Sequence, residues 1–236
     1  MKEKILVALD VESGAEALRL ADTLRDVVGG FKIGSRLFTS AGPAIVRTLT
    51  ARGDRVFLDL KFHDIPNTVA TAVAAAAELG VWMVNVHASG GGAMMRAARA
   101  AAHETAARRN AAAPLVIAVT VLTSMNQAAL TETGVAIELM DQVLRLAELT
   151  RDAGLDGVVA SPRETAAIRR RCGPDFAVVT PGIRGGAADA AKGDQERTMS
   201  PAEAVAAGAS YLVVGRPIIA AADPRAAAIR IAATSP

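Results

Sequence analysis

With 236 residues, 51% of them hydrophobic and many of those alanine, the chain can bury the core of one large domain or two small ones. Its 26 basic and 24 acidic residues leave a formal charge of +2 without a concentrated basic stripe, and aromatics make up only 3%, which argues against a nucleic-acid binder. The single Cys172 excludes an internal disulfide framework, and no apolar run approaches the roughly 20 residues that span a bilayer, so a cytoplasmic protein is expected.

Short apolar runs alternate with longer alanine-rich amphipathic ones from end to end. The stretch Met1 to Asp10 starts basic, but its apolar part is short and stops at a charge. It reads as a first strand, Ile5–Leu9, and not as a signal peptide. Asp10-Val11-Glu12-Ser13 follows where a dinucleotide-binding fold would carry a glycine-rich loop, and Ser13 is a better helix cap than Asp10. The predicted strands continue with Gly30–Ile33, Val56–Leu60, Met83–Val86, Leu115–Val119, Gly157–Val159, Ala177–Thr180 and Tyr211–Val214. Helices are predicted over Ala15–Val28, Pro43–Arg52, Thr68–Glu78, Ala93–Arg109, Ile137–Ala153, Arg163–Arg171, Pro201–Ala206 and from Pro224 onward. Such β-then-α units predict a single-domain (β/α)8 barrel over residues 1–236, with a doubly wound sheet as the alternative. The segment Gly182–Met199 has the weakest secondary-structure character, as a functional lid or a disordered stretch would.

The third strand carries the most information. Asp59-Leu60-Lys61-Phe62-His63-Asp64 closes the apolar run Val56-Phe57-Leu58 with an acid, an amine and a second acid. Alternation sends Asp59 and Lys61 to one face and Leu58 and Leu60 to the other, and Pro66 then suits the first turn of a helix. Charges on the buried face of a sheet cost several kcal/mol each, roughly, and persist only when paired or used. In a barrel the strands' C-terminal ends carry function. There the sequence sets Asp10, Lys32, Asp59, Lys61, His87, Thr120, Thr123, Arg184 and the pair Gly215-Arg216. Gly215-Arg216-Pro217 suits a phosphate, since glycine lets backbone N–H groups approach an oxyanion and arginine supplies a charged fork. Taken singly, Asp10 could cap a helix, Lys32 could snorkel, and His87 and Cys172 could be structural.

These residues resemble the orotidine 5′-phosphate decarboxylase family over essentially the whole chain. The matching segments are Ala8-Leu9-Asp10, Phe31-Lys32-Ile33-Gly34, Asp59-Leu60-Lys61-Phe62-His63-Asp64-Ile65-Pro66-Asn67-Thr68, Asn85-Val86-His87-Ala88, Leu122-Thr123-Ser124, Thr180-Pro181-Gly182-Ile183-Arg184, Gly193-Asp194-Gln195 and Val214-Gly215-Arg216-Pro217. The resemblance implies cofactor-free, metal-free decarboxylation of orotidine 5′-phosphate to uridine 5′-phosphate by a homodimer with interfacial active sites. It implies Lys61 as proton donor to C6, Asp59 beside the scissile carboxylate, and Lys32 in the same charged chain. Asp64 and Thr68 would reach in from the partner subunit. Asp10 and Lys32 would hold the ribose, Thr123 the base, and Arg184, Gln195, Gly215 and Arg216 the phosphate side. Two other readings stay open. One is a Mg²⁺-dependent sugar-phosphate enzyme, in which the Asp-x-Lys-x-x-Asp carboxylates serve a metal. The other is a phosphate-ligand sensor that needs Gly215 and Arg216 but not the lysine cluster.

Overall fold

The structure, a computed structural model, describes residues 1–183 and 199–233. Eight parallel strands close into a barrel in sequence order: β1 (Ile5–Ala8), β2 (Gly30–Gly34), β3 (Val56–Phe62), β4 (Met83–His87), β5 (Leu115–Val119), β6 (Gly157–Val159), β7 (Ala177–Thr180) and β8 (Tyr211–Val214). β8 returns to β1 through Leu6↔Val213 and Val7↔Val214, which closes the ring. The helices between them are α1 (Gly14–Leu24), α2 (Ser35–Ala41), α3 (Pro43–Ala51), α4 (Pro66–Glu78), α5 (Gly91–Arg108), α6 (Gln127–Glu132), α7 (Leu139–Asp152), α8 (Thr165–Cys172), α9 (Pro201–Ala206), α10 (Arg216–Ile219) and α11 (Pro224–Ala233).

Local chemistry explains the starts. Ser13 caps α1 by accepting from the Glu16 N–H at 3.2 Å, and Ser200 and Glu203 form a reciprocal capping box on α9. Pro66 opens α4, where its missing N–H costs nothing. The predicted first helix overran: α1 stops at Leu24, and Gly29 then passes so close to the backbone of Glu3 that a Cβ there would lie 2.2 Å from its carbonyl oxygen. The sequence gives no sign of helices α2 and α6, because neither is long enough to show an apolar period, whereas the short α10 follows Gly215 as a phosphate-type turn requires.

The strands alternate two apolar faces. Val7, Phe31, Ile33, Leu58, Val84 and Val116 look outward into the layer shared with the helices. Leu6, Phe57, Met83, Ile117, Val179 and Val213 fill the barrel interior. Burial of each such side chain is worth about 1.5–3 kcal/mol. The N-terminal end of the barrel is shut by Trp82 and Tyr211, whose rings meet edge to face at 5.0 Å, with the Arg55 guanidinium 5.4 Å from the Trp82 ring centre. The opposite end is open and polar.

Candidate active site

β3 departs from its ladder where its sequence turns polar. Leu58 pairs with Val84 and Phe62 with Val86, so four residue steps on β3 face two on β4. A slip of one residue would send the side chains to the other face; a slip of two keeps the parity. Asp59 and Lys61 therefore stay inward, on the face of Phe57, while Leu60 and Phe62 pack outward. The extra length is absorbed partly at Lys61, which sits at φ 53, in the left-handed region that a lysine occupies only under constraint.

The charged groups converge in a chain. The Lys61 ammonium donates to Asp59 Oδ1 at 2.7 Å, and Asn85 Nδ2 donates to the same oxygen at 2.7 Å. Lys32 lies 3.6 Å from Asp59 Oδ2 and donates to Asp10 Oδ1 at 2.9 Å. The side chains of Lys32 and Asp59 are 10% and 13% exposed, against 35% for Lys61 and 48% for Asp10, so the network runs from a buried centre to an open rim. Burial alone would raise the Asp59 carboxyl, but Lys32, Lys61 and the hydrogen bonds from Lys61 and Asn85 outweigh it and hold the group below the ordinary carboxylate range. Gly34 makes room for this arrangement: a Cβ there would lie 3.0 Å from Lys32 Nζ and 3.3 Å from Asp10 Oδ1.

This network forms the floor of a cavity of about 610 Å³ at the C-terminal end of the barrel. Asp10, Lys32, Asp59, Lys61, Thr123, Gly215 and Arg216, which the sequence sets at the strands' C-terminal ends, all line it. Val119, Val121, Leu122, Pro181 and Ile183 supply an apolar wall, so one side of a flat ligand can be desolvated while its other end meets Arg216. Thr120, by contrast, is buried and donates to the Val159 carbonyl at 3.2 Å, a structural role. The predicted sites Arg184 and Gln195, with most of the Gly182–Met199 segment, lie outside the described residues; the flanking Ile183 and Met199 pair in an isolated bridge.

Asp64 and Thr68 do not line the cavity of their own chain. They belong to the stretch His63–Thr68, exposed throughout, in which Ile65 is 67% exposed and Asp64 Oδ1 accepts from the Ile65 N–H at 2.6 Å. His63 and His87 approach each other, with ring centres 5.4 Å apart. Cys172 ends α8, half-buried, and burial pushes its thiol up, as in an unreactive cysteine. Asn85 belongs to the motif Asn85-Val86-His87-Ala88, in which the sequence assigns it no role. Its signal in the sequence was an amide in an apolar strand, which burial obliges to find partners.

The family described as "Orotidine 5'-phosphate decarboxylase / HUMPS family" matches residues 3–231. A protein of Moorella thermoacetica named orotidine 5′-phosphate decarboxylase is 59% identical, over 98% of this chain and 92% of that protein. One of the same name from Syntrophotalea carbinolica is 54% identical, over 98% and 93%. Among solved structures, orotidine 5′-phosphate decarboxylase from Lactobacillus acidophilus superposes with a TM-score of 0.86 at 36% identity, covering 97% of this chain and 96% of that one. The Pyrococcus horikoshii enzyme of that name gives 0.76 at 27% identity, covering 96% of each. The chain belongs to the orotidine 5′-phosphate decarboxylase / HUMPS family.

Proposed function

We propose that this protein decarboxylates orotidine 5′-phosphate to uridine 5′-phosphate and CO₂, without cofactor or metal, as the last step of pyrimidine nucleotide synthesis in the cytoplasm. The observation that carries this reading is the Lys61 ammonium, 2.7 Å from Asp59 at the floor of the cavity, with Lys32 behind it. Breaking the bond from C6 to the carboxylate leaves an electron pair in the ring plane, where the π system cannot spread it. A fixed positive charge beside C6 stabilises that pair, and Lys61 then delivers a proton to it. Asp59, beside the departing carboxylate, orients Lys61 and disfavours the bound carboxylate more than the product.

Asp10 and Lys32 hold the ribose in this reading, Thr123 the base, and Gly215 and Arg216, with Arg184 and Gln195, the phosphate. Binding energy gained at the phosphate, remote from C6, organises the reacting end. The engagement of Asp59 supports the nucleotide enzyme over a Mg²⁺-dependent sugar-phosphate one. Oδ1 accepts from both Lys61 and Asn85, and Oδ2 faces Lys32, so this carboxylate is already matched to two ammonium groups and an amide.

The exposed Asp64, Ile65 and Thr68 support a homodimer in which Asp64 and Thr68 complete the partner's site. Mixing inactive Lys61→Ala with inactive Asp64→Asn chains should then restore roughly a quarter of wild-type activity through reassorted dimers, and no recovery would refute the shared site. No helix among the described residues is long and apolar enough to cross a membrane. The chemistry itself is tested by Lys61→Ala: kcat should fall by at least about 10⁴-fold while uridine 5′-phosphate still binds. Near-normal turnover in that variant would sink the mechanism.

A further inference from the structure

The gap in the ladder between β3 and β4 is closed by a side chain. Between Leu58↔Val84 and Phe62↔Val86 no regular pairing ties residues 59–61 to β4, although Asp59 still pairs with Gly34 of β2 on the other side, and Asn85 stands on β4 opposite the gap. It is completely buried. Its Oδ1 accepts the Lys61 backbone N–H at 2.8 Å, and its Nδ2 donates to Asp59 Oδ1 at 2.7 Å. One amide thus replaces a missing rung of the sheet and fixes the orientation of a carboxylate. Lys61 is one of only two non-glycine residues with positive φ among those described, and the Asn85 bond falls on its N–H. Bulges of this kind re-aim side chains, and strain persists only where the surroundings over-determine it.

We propose that Asn85 is a positioning residue for the decarboxylation: its amide clamps the β3 bulge so that Asp59 and Lys61 meet on the cavity floor. The inference rests on the decarboxylase reading above. Asn85 does not line the cavity, so it acts through Asp59 and Lys61 and not on the nucleotide. The phosphate and ribose contacts come from other strands, which separates its effect on turnover from any effect on affinity. A shift of about 1 Å in a reacting group costs about 10²-fold in rate.

The discriminating variant is Asn85→Asp. It is isosteric and keeps an acceptor for the Lys61 N–H, but it sets a second carboxyl against Asp59. The titratable groups around that pair are Lys32 on β2, Lys61 on β3 and His87 on β4, with His63 beyond His87; the register neighbour on β5 is the apolar Ile117. The expected result is a fall in kcat of about 10²–10³-fold, with KM and uridine 5′-phosphate affinity within about 3-fold of wild type. The acid limb of the kcat profile should also move up by about one pH unit or more, because paired carboxylates share a proton. Should Asn85→Asp fail to fold, Asn85→Ser, which leaves room for a water, gives the same kcat-against-KM comparison. Wild-type kcat and an unmoved acid limb would overturn the assignment. So would a parallel loss of kcat, nucleotide affinity and melting temperature, which marks a merely structural residue. A wild-type protein inert on orotidine 5′-phosphate would instead refute the reading on which the assignment rests.

Discussion

The two ends of the barrel are built from the same strands with the same alternation, yet they do opposite things. At the N-terminal end the inward positions are apolar and Trp82, Tyr211 and Arg55 stack into a plug. At the C-terminal end the inward positions of β2 and β3 are Lys32, Asp59 and Lys61, and the interior opens into a cavity. The change happens within two residues of β3, from Phe57 to Asp59. One end contributes burial, and the other consumes part of that stability to hold like and unlike charges out of water. The closed end therefore carries stability and the open end carries chemistry, and substitutions should separate the two.

The largest effect on turnover is expected at Asp59, where stability falls as well. Asp59→Ala removes the shared partner of two lysines, and kcat should fall by about 10³-fold or more. Stability should fall by about 3 kcal/mol, near the low end for breaking a buried pair, because Lys61 is 35% exposed and water can reach it. Steady-state kinetics and urea unfolding of the same preparation measure both. A loss of stability with kcat intact would break the comparison at its open end.

Trp82→Ala probes the closed end and should lose stability while sparing turnover. Stability should drop by about 3 kcal/mol, roughly 6–12 °C in Tm, with kcat within about 2-fold of wild type. A large fall in kcat in a folded Trp82→Ala protein would mean that the ends are coupled.

The smallest effect is expected at His87. Burial, then repulsion from His63 and Lys61, hold its imidazole below its ordinary range. A depressed histidine binds fewer protons folded than unfolded, so it stabilises fully above about pH 6.5, and this contribution is lost as pH falls further. Tm should decline from pH 7 toward pH 5, and His87→Gln should flatten that slope. An unchanged slope would remove His87 from the electrostatics of the open end.

Much of this was legible in the sequence, for physical reasons that differ by region. The strands could be read because each is a short apolar run closed by Gly, Asp or Pro, and all eight fall within two residues of their observed bounds. Asp10, Lys32, Asp59 and Lys61 could be read as one cluster because barrel topology collects strand ends, and the cavity gathers them with Thr123, Gly215 and Arg216. The β3 bulge could not be read. A slip of two residues leaves the alternating pattern intact, so Asp59, Leu60 and Lys61 look like ordinary strand. For the same reason Asn85 had no visible role, since its partners are created by the bulge. Asp64 stands out in the sequence as a second acid, but its reach into a partner's site, and the whole role of Thr68, come only from resemblance, because one chain gives no geometric reason for two exposed residues to serve a neighbour.

The most direct measurement is the ultraviolet absorbance of orotidine 5′-phosphate mixed with the wild-type protein, with and without EDTA. Rapid loss of the substrate band at equal rates in both is expected if Lys61 and its carboxylates at the open end suffice. No loss, or loss that EDTA abolishes, would contradict a metal-free decarboxylase built on Lys61.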